Sequence, residues 1–286
     1  MHSIGFIGAG TVGTALAVRL GEKGYPVTAV ASRTPASAER LASMVKGCQV
    51  HHSGQAVANV AEMVFITTPD GAIPQVAAQV QWHPGQSVVH CSGADSLDVL
   101  EPATKAGAQT GAFHPLQTLA SIAYAIEDIP GSTFALEAEE PLLSDLKEMA
   151  HALQGRWIEL RPGDKVLYHA AAVMACNYMV TLVKLATDLW QTFGVPPSEA
   201  TQALLPLLRG TVNNIGNVGL PNCLTGPIAR GDLGTIQKHL RSLEARAPGL
   251  AATYLELGRQ TVPIALAKGR IDEQRAKELH QLLNPK

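Results

Sequence analysis

The sequence predicts a doubly wound α/β domain over residues 1–162, followed by an all-helical domain over residues 163–286. Three observations carry this prediction. Short apolar runs alternate with helical patterns through the first half. The strand-like runs stop near Arg161-Pro162-Gly163-Asp164, and only helical patterns follow. The chain of 286 residues also exceeds the roughly 250 residues at which single cores stop growing.

Strands are expected at Ile4–Ile7, Val27–Ala31, Met63–Thr67, Ser87–Cys91, Thr110–Phe113, Thr133–Leu136 and Arg156–Glu159. Helices are expected over Val12–Lys23, Pro35–Met44, Ile73–Val80, Leu97–Lys105 and Glu140–Leu153. Continuously apolar strands joined by helices imply a parallel sheet covered on both faces. In the second half, Asp164 is placed to cap a long helix reaching about Gln191, which Gly194-Val195-Pro196-Pro197 ends. Ser198, Asp232 and Asp272 are placed to cap later helices, and another follows Pro248. The apolar stretch Ala170–Val183 contains Asn177 and is shorter than the roughly 20 residues of a membrane span. It reads as a buried core helix.

Composition excludes several classes. Hydrophobic residues make up 46% of the chain, which argues against disorder. The formal net charge is -2 with no basic run, so neither nucleic acid nor a membrane is expected as a partner. Cys48, Cys91, Cys176 and Cys223 lack CxxC spacing, so reduced thiols in a cytoplasmic protein are expected rather than disulfides or zinc. The start, Ser3–Ile7, reads as a strand rather than a signal peptide. No HExxH or ligand-spaced carboxylate cluster occurs, so no metal is expected, and no GxSxG nucleophile elbow is present.

The stretch Gly8-Ala9-Gly10-Thr11-Val12-Gly13 is a GxGxxG motif between the first strand and the first helix. Gly8 permits the tight turn, Gly10 lets the backbone approach a pyrophosphate, and Gly13 lets helix and strand pack closely. The helix N-terminus then offers free N–H groups and a positive dipole end. These features imply dinucleotide binding on a Rossmann domain. The second strand ends in Ser32-Arg33-Thr34 rather than an acid. An acid there would hold the ribose 2′-OH of NAD, whereas an arginine between hydroxyls suits the 2′-phosphate of NADP. NADP is the expected cofactor, with NAD the alternative. Thr68, Pro69 and Ser92 follow later strands and are expected beside the nicotinamide half.

With these features the chain resembles the 6-phosphogluconate-dehydrogenase-like superfamily, which includes ketopantoate reductase, pyrroline-carboxylate reductase and the F420-dependent NADP oxidoreductases. Within it, three stretches resemble Rossmann-like proteins with a DUF2520 C-terminal domain. They are Phe113-His114-Pro115-Leu116-Gln117-Thr118, Tyr168-His169-Ala170-Ala171-Ala172 with Asn177, and Leu224-Thr225-Gly226-Pro227-Ile228-Ala229-Arg230-Gly231-Asp232. The resemblance implies NAD(P)-linked oxidoreductase chemistry. Related hydroxyacid dehydrogenases and ketopantoate reductases start the long helix with a catalytic lysine, and the matching place here is read as His169.

His169, Val173 and Asn177 recur every four residues and share a broad helix face. The resemblance turns this face toward the nicotinamide, so His169 and Asn177 are catalytic candidates. His114, at a strand end, is the third. Gln117 and Arg230 are candidates for substrate binding; Arg230 equally suits a surface or dimer contact, and Asp232 reads as a helix cap. The expectation is an NADP-dependent reductase or dehydrogenase acting on a small carbonyl, hydroxyacid or imine, with a dinucleotide sensor lacking turnover as the alternative. A deazaflavin as second ligand remains open at this stage. The resemblance implies a homodimer paired through the helical domain.

Overall fold

The computed structural model describes residues 1–284. Its first unit is built on an eight-stranded sheet: β1 (Ile4–Ile7), β2 (Val27–Ala31), β3 (Gln49–Val50), β4 (Met63–Ile66), β5 (Ser87–His90), β6 (Gln109–Leu116), β7 (Thr133–Ala138) and β8 (Arg156–Glu159). The order is β3-β2-β1-β4-β5-β6-β7-β8. Strand order therefore reverses between β1 and β4, and the crevice beyond the strand ends opens there. The helices of this unit are α1 (Thr11–Glu22), α2 (Pro35–Met44), α3 (Gly54–Ala58), α4 (Ile73–Gln79), α5 (Glu101–Lys105), α6 (Ile122–Asp128) and α7 (Leu142–Ala152).

Alternating strand residues feed two cores, one on each face. On one face Phe6, Phe65, Phe113 and Phe134 are fully buried and form a chain of ring contacts, with centroids 5.3, 6.0 and 4.5 Å apart. Leu16 and Leu20 of α1 and Leu142 and Leu146 of α7 cover it. On the other face Val64, Ile66 and Val88 meet Val57, Ile73 and Ala77. Every strand from β1 to β5 except the short β3 is almost wholly buried, which explains why these strands read as continuous apolar runs.

The expectation of an all-parallel sheet fails at β7, which runs antiparallel to β6. Leu116 pairs with Thr133, so the connection begins and ends at the same end of the sheet. The chain turns back through α6, which docks on α1 with Arg19 Nε donating to the Ile126 carbonyl. The sequence reading also passed over β3, α3 and α6, each two to seven residues long.

The second half is helical: α8 (Lys165–Ala172) and α9 (Tyr178–Gln191) joined by a π turn over Val173–Asn177, then α10 (Pro197–Val218), α11 (Leu233–Arg246), α12 (Pro248–Ala267) and α13 (Glu273–Leu282). Two compact units divide at Cys176/Asn177, so the first holds all of α8 and most of the π turn; the boundary read from the sequence lies at 162/163. In the second unit Ile236, Val262, Ala265, Leu279 and Leu283 form the core, with Tyr254 and Leu255 packed against it.

Asp232 and Asp272 cap α11 and α13, accepting from the N–H groups of Thr235 and Arg275. Two other caps fall differently. The Asp164 carboxylate turns back to accept from the Arg161 N–H instead of capping α8. Ser198, expected to cap the next helix, lies inside it: α10 starts at Pro197, whose missing N–H is no loss in a first turn, and Pro196 holds the cap position. A larger correction concerns Ala170–Val183. This stretch is not a core helix of the single chain. The continuous helix Lys165–Gln191 has a window of mean hydropathy 1.5 with no part of it buried, and by length and composition it could cross a membrane. An apolar pattern reports that a helix face wants cover, but not which chain provides it.

Candidate active site

The glycine-rich turn has the geometry its residues predict. Gly8 sits at φ +113°, and a Cβ there would lie 2.7 Å from the Thr67 carbonyl. A Cβ at Gly13 would lie 2.3 Å from Thr67 Oγ1, which donates to the Gly8 carbonyl at 2.7 Å. The first turn of α1 carries no acidic residue and no side-chain cap, so its N–H groups face the turn uncompensated. Beside it lies a cleft of about 770 Å³ lined by Gly8, Ala9, Gly10, Ser32, Arg33, Thr34, Ser37, Thr68 and Pro69, among others. No Asp or Glu lines it. A side chain at Gly10 would project into this space, whereas Thr11, Val12 and Gly13 lie in the helix behind it. The open helix end, the cation and the absence of acids fit an anionic dinucleotide.

A second group of polar residues gathers where β4, β5 and β6 end. Cross-strand partners share a face: His90 pairs with Ala112, and Ala112 with Glu137. His114 stands two residues beyond Ala112 and so projects to the same side. Small Ala112 leaves room among three polar side chains. Lys165, the first residue of α8, is 2% exposed, and its Nζ lies 4.0 Å from Glu137 Oε2. Neither atom has a hydrogen-bond partner among the described residues. Burial lowers the Lys165 pKa to about 8, against the opposing pull of Glu137 and, more weakly, Asp95 and Asp70. Burial also raises the Glu137 carboxyl, with Lys165 opposing.

His90 and His114 are kept neutral. His90 Nδ1 accepts from the Ser92 N–H at 3.1 Å, which leaves the ring proton on Nε2. Burial, with Lys165 and His114 adding to it, takes the His90 pKa down to about 3. His114 Nδ1 lies 2.7 Å from the Tyr168 hydroxyl. Burial first, then His169 and Lys165, lower the His114 pKa to about 4. The His114 and His169 rings stand edge to face with centroids 6.1 Å apart, and His169 Nδ1 is buried without a partner. Gly93 makes this approach possible. A Cβ at position 93 would lie 2.7 Å from His169 Nδ1 and 2.8 Å from His114 Nε2.

The structure thus brings His114 and His169 together and adds Lys165, Glu137, His90, Tyr168 and Gly93 around them. Ser92 is 2% exposed and donates to Asp70 at 2.8 Å, while accepting from the Ala94 and Asp95 N–H groups. It fastens two strand-end loops together and is not among the residues lining the cleft. Gln117 is likewise occupied, donating to the Asp128 carbonyl and Ser132 and accepting from the Thr118 N–H. Asn177 closes the π turn and begins the second unit, and Arg230 lies within that unit.

His169, read in place of a lysine, stands on α8 with its ring against that of His114. A lysine is present one turn earlier, as Lys165. The four-residue spacing His169, Val173, Asn177 reaches Lys165 when extended one step backward, and that signal was available in the sequence.

A Rossmann-like domain model matches residues 1–115, and the domain of unknown function DUF2520 matches residues 132–261. A Thermotoga maritima protein of known structure is 26% identical with a TM-score of 0.75, covering 93% of this chain and 100% of its own. A Bacteroides fragilis protein assigned as an NADP oxidoreductase is 27% identical with a TM-score of 0.72, covering 92% and 98%. A reductive aminase from Aspergillus terreus, in complex with NADPH and ethyl levulinate, shares the fold at 18% identity and a TM-score of 0.66, covering 97% and 98%. A search of curated proteins finds no match.

Proposed function

Because the chain carries a Rossmann-like domain followed by a DUF2520 domain, we propose that it is an NADP(H)-dependent oxidoreductase acting on the C=O or C=N bond of a small molecule. The observation that carries the reading is Lys165, a desolvated ammonium without a hydrogen-bond partner among the described residues, beside Glu137, whose cross-strand partner Ala112 pairs with His90 at the end of β5. Lysine is rarely buried this fully unless paired, and at 4.0 Å Glu137 is a loose partner. Neighbours that are NADP oxidoreductases or hold NADPH support a nicotinamide dinucleotide.

NADPH, when bound, supplies a hydride. The chain's own residues then have to fix the ligands and handle one proton. Gly8, Gly10 and the α1 N-terminus would receive the pyrophosphate; Arg33, with Ser32, Thr34 and Ser37 around it, would receive the 2′-phosphate. Lys165, with a pKa of about 8, is mostly protonated at neutral pH and can give its proton to the substrate oxygen or nitrogen. Glu137 favours the charged form until transfer. His114, neutral and held by Tyr168, and His169, with a free Nδ1, orient the substrate by hydrogen bonds. Asn177 is a further candidate for that role. The test is NADPH consumption across oxoacids, ketones, aldehydes and cyclic imines. Failure of every substrate together with undiminished NADPH binding would favour a dinucleotide sensor instead.

The uncovered helix Lys165–Gln191 supports a second part of this proposal, a homodimer. Val180 and Leu182 on its α9 part, and Leu207, Val212, Ile215 and Val218 on α10, all in the second unit, are exposed in the single chain. Exposed apolar residues on two packed helices mark an interface, and closed twofold pairs are the commonest assembly. Light scattering without detergent should return twice the chain mass at micromolar concentration. A monomer mass, or solubility only in detergent, would overturn it.

A further inference from the structure

The motif Leu224–Asp232 plays no part in the proposed chemistry, yet it builds a concavity of about 440 Å³ inside the second unit. Arg230, Lys268 and Arg270 all line it, along with Thr225 and Gly226, and no carboxylate does. None of the three cations has an acidic partner within 4.0 Å among the described residues. The neighbouring Asp232 is already committed, accepting from the Thr235 N–H at 3.0 Å and hydroxyl at 2.7 Å.

The backbone holds the cations in place. Lys268 Nζ donates to the Asn222 and Leu224 carbonyls at 2.8 and 2.7 Å, which leaves one N–H free. Arg230 closes the short turn Ile228–Arg230, and Gly231 follows in the left-handed region at φ +65°. A side chain at 231 would strike Arg275 at 2.7 Å, so the turn is packed as well as bent. Both guanidinium groups are free of hydrogen bonds within the chain, among the described residues. Asp232 attracts Arg230 from outside the hollow, but no carboxylate lines it, so the three positive side chains there repel one another. An oxyanion would relieve that repulsion and accept from two planar forks and an ammonium at once.

We infer that this hollow is a binding site for a small oxyanion, a carboxylate or phosphate group carried by a metabolite, distinct from the dinucleotide cleft. Calorimetric titration of the intact protein with inorganic phosphate and with succinate tests it, using Arg33→Ala and Arg230→Ala/Arg270→Ala variants. The site predicts binding of at least one anion, weakened at least about tenfold in the double variant, as loss of charged hydrogen bonds implies, and unchanged in Arg33→Ala. Preference for phosphate would identify a phosphate-bearing ligand, and preference for succinate a carboxylate. Should the double variant fail to fold, Arg270→Glu at an exposed position must abolish the binding by itself. No binding of either anion at millimolar concentration, or binding lost in Arg33→Ala and retained in the double variant, would overturn the inference.

Discussion

Replacing Lys165 by Met separates a catalytic lysine from a structural one. The side chains have similar length, so the change removes the charge and little volume. Burial brings the Lys165 pKa from 10.5 to about 8. At pH 7 the folded state therefore holds the ammonium at a cost of roughly 1.4 kcal/mol per pH unit of that difference, about 3 kcal/mol in all. The sign follows from proton counts. Between about pH 8 and 10.5 the unfolded chain binds the proton that the folded chain has lost, so stability rises with pH there. Lys165→Met relieves the cost and leaves Glu137, whose pKa is already raised, free to become neutral. Folding stability should stay level or increase by up to about 3 kcal/mol, in line with buried ion pairs replaced by apolar groups. Turnover should fall by about 10²–10⁴-fold, the usual share of a general acid. The limb of the rate profile near pH 8 should vanish while NADPH affinity holds. Urea unfolding and steady-state NADPH oxidation measure both. A loss of more than about 2 kcal/mol of stability would make Lys165 a structural partner of Glu137. Turnover within threefold of the parent would remove it from the chemistry.

Three further outcomes are expected. Arg33→Ala should weaken NADPH by about 1.5–3 kcal/mol, typical of charged hydrogen bonds, and leave NADH nearly unchanged; equal titration curves of the parent with both cofactors would refute the 2′-phosphate reading. Gly93→Ala places a methyl group 2.7–2.8 Å from two imidazole nitrogens, and should cost about 1–3 kcal/mol as overpacking and lower turnover at least tenfold with dinucleotide binding intact; parental kinetics would show that the rings need not sit there. Acid should unfold the protein through His90 and His114, whose pKa values fall from 6.5 to about 3 and about 4. Below pH 6.5 the unfolded chain takes up protons that the folded chain refuses, so stability should drop by roughly 1.4 kcal/mol per pH unit for each histidine until the folded values are reached. A flat denaturation midpoint between pH 6.5 and 5 would contradict their burial.

The fold was legible wherever a local rule matches the global arrangement. Strands buried on both faces read as unbroken apolar runs, and the glycine turn carries its own backbone requirement in Gly8 and Gly13. What escaped depends on context. A two-residue strand such as Gln49–Val50 is fixed by its neighbour β2, with too few residues to show a period. The direction of β7 follows from which end of the sheet α6 returns to, and strand composition carries no information on direction. The long helix showed its apolar face but not whether another segment of the same chain would cover it.

The site was legible as a list of residue types and illegible as a set of pairings. Ser92 and Gln117 look like ligand-binding residues because they are polar and sit at strand ends, yet the structure assigns their hydrogen bonds to neighbouring loops. Lys165 looks like a solvated residue because it follows Arg161-Pro162-Gly163-Asp164, a polar turn. Its burial arises beside β7, where Glu137, paired across from Ala112, stands 4.0 Å from Lys165 Nζ. No pattern local to residue 165 contains that information. The pairing of Glu137 with Ala112 becomes apparent only once β7 is known to be antiparallel, since a parallel strand would bring different residues into register. The strand direction that sequence reasoning missed is therefore also the reason it missed the lysine's partner. The two errors share one cause.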